Sequence, residues 1–292
     1  MADFAIHMLA SVALILLGLW HLLCAFKSYL KNPNNYTAKP WHPITAKFKT
    51  LELYLHLGGI LVAMVYYLAI SSDFDPLVKG STPVYRLITL QTAAVLAVFL
   101  VSVLAILASE NIASLVLPPG FPFLAAALGF GLQSAVLNSG AALTSGIEGK
   151  CESLLGKVAG VCCLCAVLLV FQPRLLAADL GLSSAVLLQG LWFLQSGLSL
   201  HVRGFMPAGC DRLLDVSGEV EGSTQCDLDE SRLRALALLD LLFIVHVIVV
   251  ILVDVTVCGL VARVSGVRKQ GTGDYEPLSN NISLNSIHKV QE

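Results

Sequence analysis

The sequence predicts an all-α, polytopic membrane protein: a bundle of seven transmembrane helices followed by a disordered C-terminal tail. Three observations predict it. Of 292 residues, 56% are hydrophobic and 13% charged, against roughly a quarter charged in a soluble domain. Mean hydropathy is +0.79. The apolar residues also fall in runs long enough to cross about 30 Å of hydrocarbon. A net charge of −2 leaves no global basic field, so nucleic acid is excluded as a partner.

In chain order the predicted spans lie near 5–26, 51–70, 84–108, 121–143, 153–171, 178–202 and 235–262, making 1–262 the transmembrane domain and 263–292 the tail. No Lys or Arg precedes the first span, its core from Phe4 to Phe26 is long, and Lys27 and Lys31 follow it. That pattern predicts a retained anchor rather than a cleaved signal peptide. Ala2 excludes N-myristoylation, and the end Lys-Val-Gln-Glu is no prenylation box. The fourth span is the least apolar, diluted by Gly129, Gly131, Gln133, Asn138 and Gly140. Gly58-Gly59, Gly129, Gly131, Gly190 and Gly197 are expected to let helix backbones approach closely.

The segment from Lys27 to Thr50 carries Lys27, Lys31, Lys39, Lys47 and Lys49 and no acid. Positive short loops favour the cytoplasmic side. The expected orientation is therefore N-terminus lumenal or extracellular, with loop 1 and the C-terminus cytoplasmic, in a secretory-pathway or plasma membrane. Arg263, Arg268 and Lys269 agree with it, whereas Arg203, Arg212, Arg232 and Arg234 in the net-acidic sixth loop argue against it. Sequons at Asn35-Tyr36-Thr37 and Asn281-Ile282-Ser283 test it, since both face the cytoplasm in this arrangement and should carry no glycan.

Of the eight cysteines only Cys162 and Cys165 have CxxC spacing, with no second CxxC to pair with it, so no structural zinc site is expected. Cys162, Cys163 and Cys165 read as small apolar residues of a span. Cys210 and Cys226 share one polar loop and would form a disulfide on an oxidising side. In the tail, Tyr275-Glu276-Pro277-Leu278 looks like a tyrosine sorting signal, Tyr275 and Leu278 being the residues a trafficking adaptor would bind in extended form.

Ionisable groups within spans are costly unless partnered. Glu52 and His56, one helical turn apart at the mouth of the second span, share a face and are expected to reach interfacial water. His246 and Asp254 lie close to one face of the seventh span, and with His21, Glu52 and His56 they would be the material of any metal or proton site. No HxxxH, HxH or HExxH grouping occurs. The expectation is therefore no cofactor, no metal and no catalytic residue, with the intramembrane Gln, Asn and His side chains bonding across helices.

A set of landmarks then stands out: Gly18-Leu19-Trp20-His21-Leu22, Pro40-Trp41-His42-Pro43, Leu51-Glu52-Leu53-Tyr54-Leu55, Phe74-Asp75-Pro76, Gly146-Ile147-Glu148-Gly149, Leu188-Gln189-Gly190-Leu191-Trp192 and Met206-Pro207-Ala208-Gly209-Cys210. Together and in this order they resemble the plant branch of the transmembrane protein 45 family, the DUF716 proteins. The resemblance implies a multi-pass helical membrane protein without an established biochemical activity. It also implies a His-rich intramembrane cluster that this chain lacks. A Glu-His pair of the third span corresponds to Gln91-Thr92, and further family histidines to Asn138, Gly140, Thr144 and Glu152, leaving only His21 and Glu52.

The preferred reading is a non-enzymatic membrane scaffold or interaction protein whose partners are the lipid bilayer, other membrane proteins and trafficking adaptors. Basic loop 1 would meet anionic headgroups. The rival is an intramembrane transporter or metal-dependent enzyme using the His/carboxylate set.

Overall fold

A computed structural model describes residues 2–43, 48–70, 84–144, 146–212 and 224–266. Its helices are α1 (Ala2–Lys31), α2 (Leu51–Ile70), α3 (Val84–Asn111), α4 (Phe121–Leu143), α5 (Gly146–Phe171), α6 (Leu176–His201) and α7 (Asp229–Val264). All seven are long and apolar enough to cross a membrane. Even the shortest, α2 with 20 residues, rises about 30 Å. The protein is a multi-pass helical membrane protein. The tail signal at Tyr275 and Leu278, the sequon at Asn281 and Lys47 lie outside the described residues.

Helix and apolar run differ most at two starts. α5 begins at Gly146 rather than near 153, and α7 at Asp229 rather than near 235. Hydropathy marks the part that lies in hydrocarbon, whereas a helix continues into the interface wherever its polar residues find partners. Lys150 Nζ of the α5 extension finds Asp240 Oδ1, about three turns into α7, 2.7 Å away.

The helices alternate in direction and pack around a ring in the order α1, α6, α5, α4, α3, α2, with α7 laid across α1, α6 and α5. The long antiparallel α1–α6 contact follows from glycine. A Cβ on Gly18 would stand 2.6 Å from the backbone nitrogen of Leu187, and one on Gly190 2.7 Å from that of Ile15. Only the absent side chain lets these helices come so close. Gly58 and Gly59 correct the same expectation for α2, since a Cβ at either would meet nothing within 4 Å. They lie on a face of α2 that no other helix covers.

One end of the bundle gathers loop 1, the α3–α4 and α5–α6 turns and the C-terminal end of α7. Ala38, Phe123, Leu169 and Ala178 form its apolar centre, and Leu53, Ile106 and Leu107 pack beside them. The other end is built on Ile147, Cys151, Trp192, Leu200 and Leu239. There the sixth loop adds a two-stranded antiparallel ladder, β1 (Cys210–Arg212) with β2 (Thr224–Cys226), absent from the sequence expectation. Cys210 pairs with Cys226 in its register, and the two form a disulfide.

Candidate functional site

Glu52 is the buried carboxylate of loop 1's end, 4% exposed. It stands in the first turn of α2, where the helix's free N–H groups favour an acid. Consecutive residues of α1 reach its two oxygens. Trp20 Nε1–H donates to Oε2 at 3.1 Å, and His21 Nε2 lies 2.7 Å from Oε1. The third donor is the backbone N–H of His42, 2.8 Å from Oε2. His42 sits in Pro40-Trp41-His42-Pro43, where a following proline keeps the backbone extended and out of helix. One carboxylate thus ties α1, loop 1 and α2 together where α1 and α2 otherwise scarcely touch.

This corrects the interfacial placement. Glu52 is turned away from water into a set of donors supplied by α1 and loop 1, which a one-helix reading of Glu52 and His56 does not contain. His56 Nδ1 lies 2.8 Å from the Glu52 backbone carbonyl, not its carboxylate. A carbonyl only accepts, so that nitrogen carries the proton.

The His42 ring completes the site. It stacks edge-on against His21, with centroids 5.1 Å apart. Its Nε2 is buried and has no partner among the described residues. Burial first, and then the neighbouring His21, pull the His42 pKa down to about 4 against the opposing pull of Glu52. At neutral pH the ring is therefore uncharged.

A second buried pair fastens the same loop. Tyr36, 4% exposed, donates its hydroxyl to Asp179 Oδ2 at the start of α6. Burial, followed by the Asp179 charge, raises the Tyr36 phenol well above its usual range. The Ala38 N–H donates to the Pro173 carbonyl at 2.7 Å. Sequence reasoning missed Asp179 because it stands at the edge of an apolar run. Tyr36 was hidden inside a polar segment. The signal available was an acid in the first turn of a span together with an aromatic hydroxyl in the preceding short loops.

The remaining predicted residues are elsewhere. Ser184 Oγ lies 2.8 Å from Asp254 Oδ2, an α6–α7 contact. Asp254 Oδ1 is buried and unpartnered among the described residues. His246 packs its ring 5.9 Å from Trp192 and bonds through Nδ1 to its own helix at Leu242. Of the set His21, Glu52, His56, His246 and Asp254, the structure joins His21 to Glu52 and places His56 on the Glu52 backbone. Asp254 and His246 each have a separate neighbourhood. Among the described residues no group of three or more His, Cys, Asp or Glu is arranged to hold a metal ion.

The positions where the family resemblance implies histidines also come together. Thr144 Oγ1 lies 3.3 Å from Glu152 Oε2, and a Cβ on Gly140 would stand 3.2 Å from that same oxygen and 3.4 Å from Ile88 of α3. Asn138 bonds back to the Ser134 carbonyl at 2.7 Å. This corner of α3, α4 and α5 holds hydroxyl, amide and carboxylate groups, with Glu148 near Glu152. Amides and hydroxyls form hydrogen bonds but neither titrate near neutrality nor ligate metals strongly.

A search of curated proteins returns no match to the chain. Residues 119–259 match the family model described as "Family of unknown function (DUF716)". That stretch runs from the α3–α4 turn through most of α7, so the Glu52 site lies before it. The match covers just under half of the chain and is consistent with the transmembrane protein 45 resemblance of the sequence landmarks.

Proposed function

We propose that this protein is a non-enzymatic membrane scaffold or interaction protein, in which the buried ionisable groups hold the bundle together and the exposed surfaces do the work. The observation that carries this reading is Glu52. Its carboxylate is occupied by Trp20, His21 and the His42 backbone, donors that fix two helices and a loop. A carboxylate spent in this way is a fastener, and the other predicted groups are dispersed in ones and twos. At the corner of Asn138, Gly140 and Thr144 hydrogen bonding stands in place of titratable rings, and the carboxylate of Glu152 is engaged there by Thr144. The partners proposed are the bilayer, membrane proteins and, through Tyr275 and Leu278, trafficking adaptors. The proposed orientation keeps loop 1 and the tail cytoplasmic, in a secretory-pathway or plasma membrane.

A proton-linked transporter is the second reading, favoured by the unpartnered Nε2 of His42 beside His21 and Glu52. Purified protein in liposomes under an imposed pH gradient separates the two. The scaffold reading predicts proton flux equal to that of empty vesicles. Flux above that level, abolished by Glu52→Gln, would replace it with the transporter.

A further inference from the structure

The end of the bundle that holds loop 1 carries a groove that the buried network leaves unused. It lies in the turn between α5 and α6, has a volume of about 420 Å³ and is lined by Phe171, Gln172, Pro173, Arg174 and Leu175. Two spanning helices meet at this turn, so it stands at the depth where hydrocarbon gives way to headgroups. Phe171 is 77% exposed there, an aromatic ring suited to that boundary.

Tertiary structure then brings the backbone of a second cationic residue to the same turn, outside the groove's own lining. The Ala38 N–H donates to the Pro173 carbonyl at 2.7 Å, so the residues that follow each partner, Lys39 and Arg174, leave one shared hydrogen bond as neighbours. Both are exposed. Neither is in an ion pair among the described residues. The nearest acids of this end are turned inward, Asp179 onto Tyr36 and Glu52 onto α1 and loop 1. Glu110, exposed at the end of α3, is the remaining acid of this face among the described residues.

We infer that this groove binds the headgroup phosphate of an anionic phospholipid, with Arg174 forking two N–H donors onto the phosphate, Lys39 adding a point charge and Phe171 lying against the upper acyl chain. An arginine fork matches phosphate oxygens in a way that water-exposed lysine alone does not. The aromatic boundary selects a lipid over a soluble phosphate, because only a lipid has a chain to cover Phe171. The inference deepens the surface-acting reading by naming one lipid partner, and its test in purified protein is independent of the flux measurement.

Native mass spectrometry of the full chain released from detergent tests it. Added phosphatidylserine should give a defined one-lipid adduct, and phosphatidylcholine at the same concentration should give far less. Lys39→Gln with Arg174→Gln should weaken the phosphatidylserine adduct roughly tenfold or more, as expected for removing two near-surface cations. Arg234→Gln at the opposite end of the bundle should leave it unchanged. Lys39→Arg with Arg174→Lys, which keeps both charges, should retain most of it and controls for misfolding. Equal adducts with both lipids, survival of the adduct in the double glutamine variant, or displacement by millimolar inorganic phosphate would each overturn the proposal.

Discussion

The two ends of this bundle are fastened by different chemistry. At the loop-1 end, two buried carboxylates from different helices, Glu52 and Asp179, hold loop 1 through His42 and Tyr36, and Glu52 also binds α1 through Trp20 and His21. At the other end, a covalent bond closes a hairpin between Cys210 and Cys226, and the half-exposed Lys150–Asp240 pair joins the start of α5 to α7. The difference is instructive. A hydrogen-bonded fastener depends on every donor being present and on protonation state, whereas a disulfide depends on redox conditions. Each end should therefore fail under conditions that the other tolerates.

The largest expected effect is at Glu52. Glu52→Ala removes the acceptor of three donors and leaves His21 and Trp20 facing a hole, a loss of about 3–5 kcal/mol. Thermal unfolding in detergent, followed by size-exclusion, should show the drop, and loop 1 should become sensitive to protease while the hairpin does not. Glu52→Gln keeps acceptor capacity at one oxygen and should lose distinctly less. An unchanged transition in Glu52→Ala would break the comparison.

Next is the disulfide. Its partners are 16 residues apart, and closing a loop of that size is worth roughly 3 kcal/mol in the chain-entropy account. Because that loop lies outside the spanning helices, reduction should open it locally. Protease cleavage between β1 and β2 should rise after reduction, with the loop-1 end unaffected. Tyr36→Phe follows, removing a buried hydrogen bond to a carboxylate and costing about 2 kcal/mol. Hydrogen exchange at residues 36–39 should speed up accordingly.

A pH series sharpens the contrast further. His42 titrates near 4 in the folded protein and near 6.5 when unfolded. Between those values the unfolded chain binds more protons, so this contribution is complete above about pH 6.5 and is lost as pH falls toward 4. Lowering the pH from 7 to 5 should loosen loop 1 by about 2 kcal/mol and leave the disulfide hairpin alone. His42→Gln should flatten that dependence. The smallest effect belongs to Lys150→Met, since the ion pair it breaks is largely wet and worth less than about 1 kcal/mol.

Much of the fold is legible in the sequence because hydrocarbon imposes a length on every apolar run. The second and fourth spans, Leu51–Ile70 and Phe121–Leu143, coincide with their helices, and the diluted fourth span forms in spite of its glycines. The charged start of α5 was not legible, since Lys150 and Glu152 gain their place there from partners on other elements. The site was half legible. His21 and Glu52 stand out as ionisable groups in apolar surroundings, and they meet at 2.7 Å. Asp254 and His246 stand out equally and do not join them, because pattern on one helix says nothing about which neighbour it faces. His42 and Tyr36 escaped notice for the opposite reason. A polar loop looks solvated until the tertiary fold tucks Tyr36, Ala38 and His42 beneath the bundle.

The central claim is that the buried ionisable groups fasten the structure and do no chemistry. Proximity labelling of the full chain in cells, comparing the parent protein with a His21→Asn/Glu52→Gln variant shown to be folded at the labelling temperature, tests it most directly, because that variant keeps hydrogen bonding while removing titration. The account predicts the same neighbouring proteins at the same relative abundance for both. A stable variant with a changed set of neighbours would contradict it.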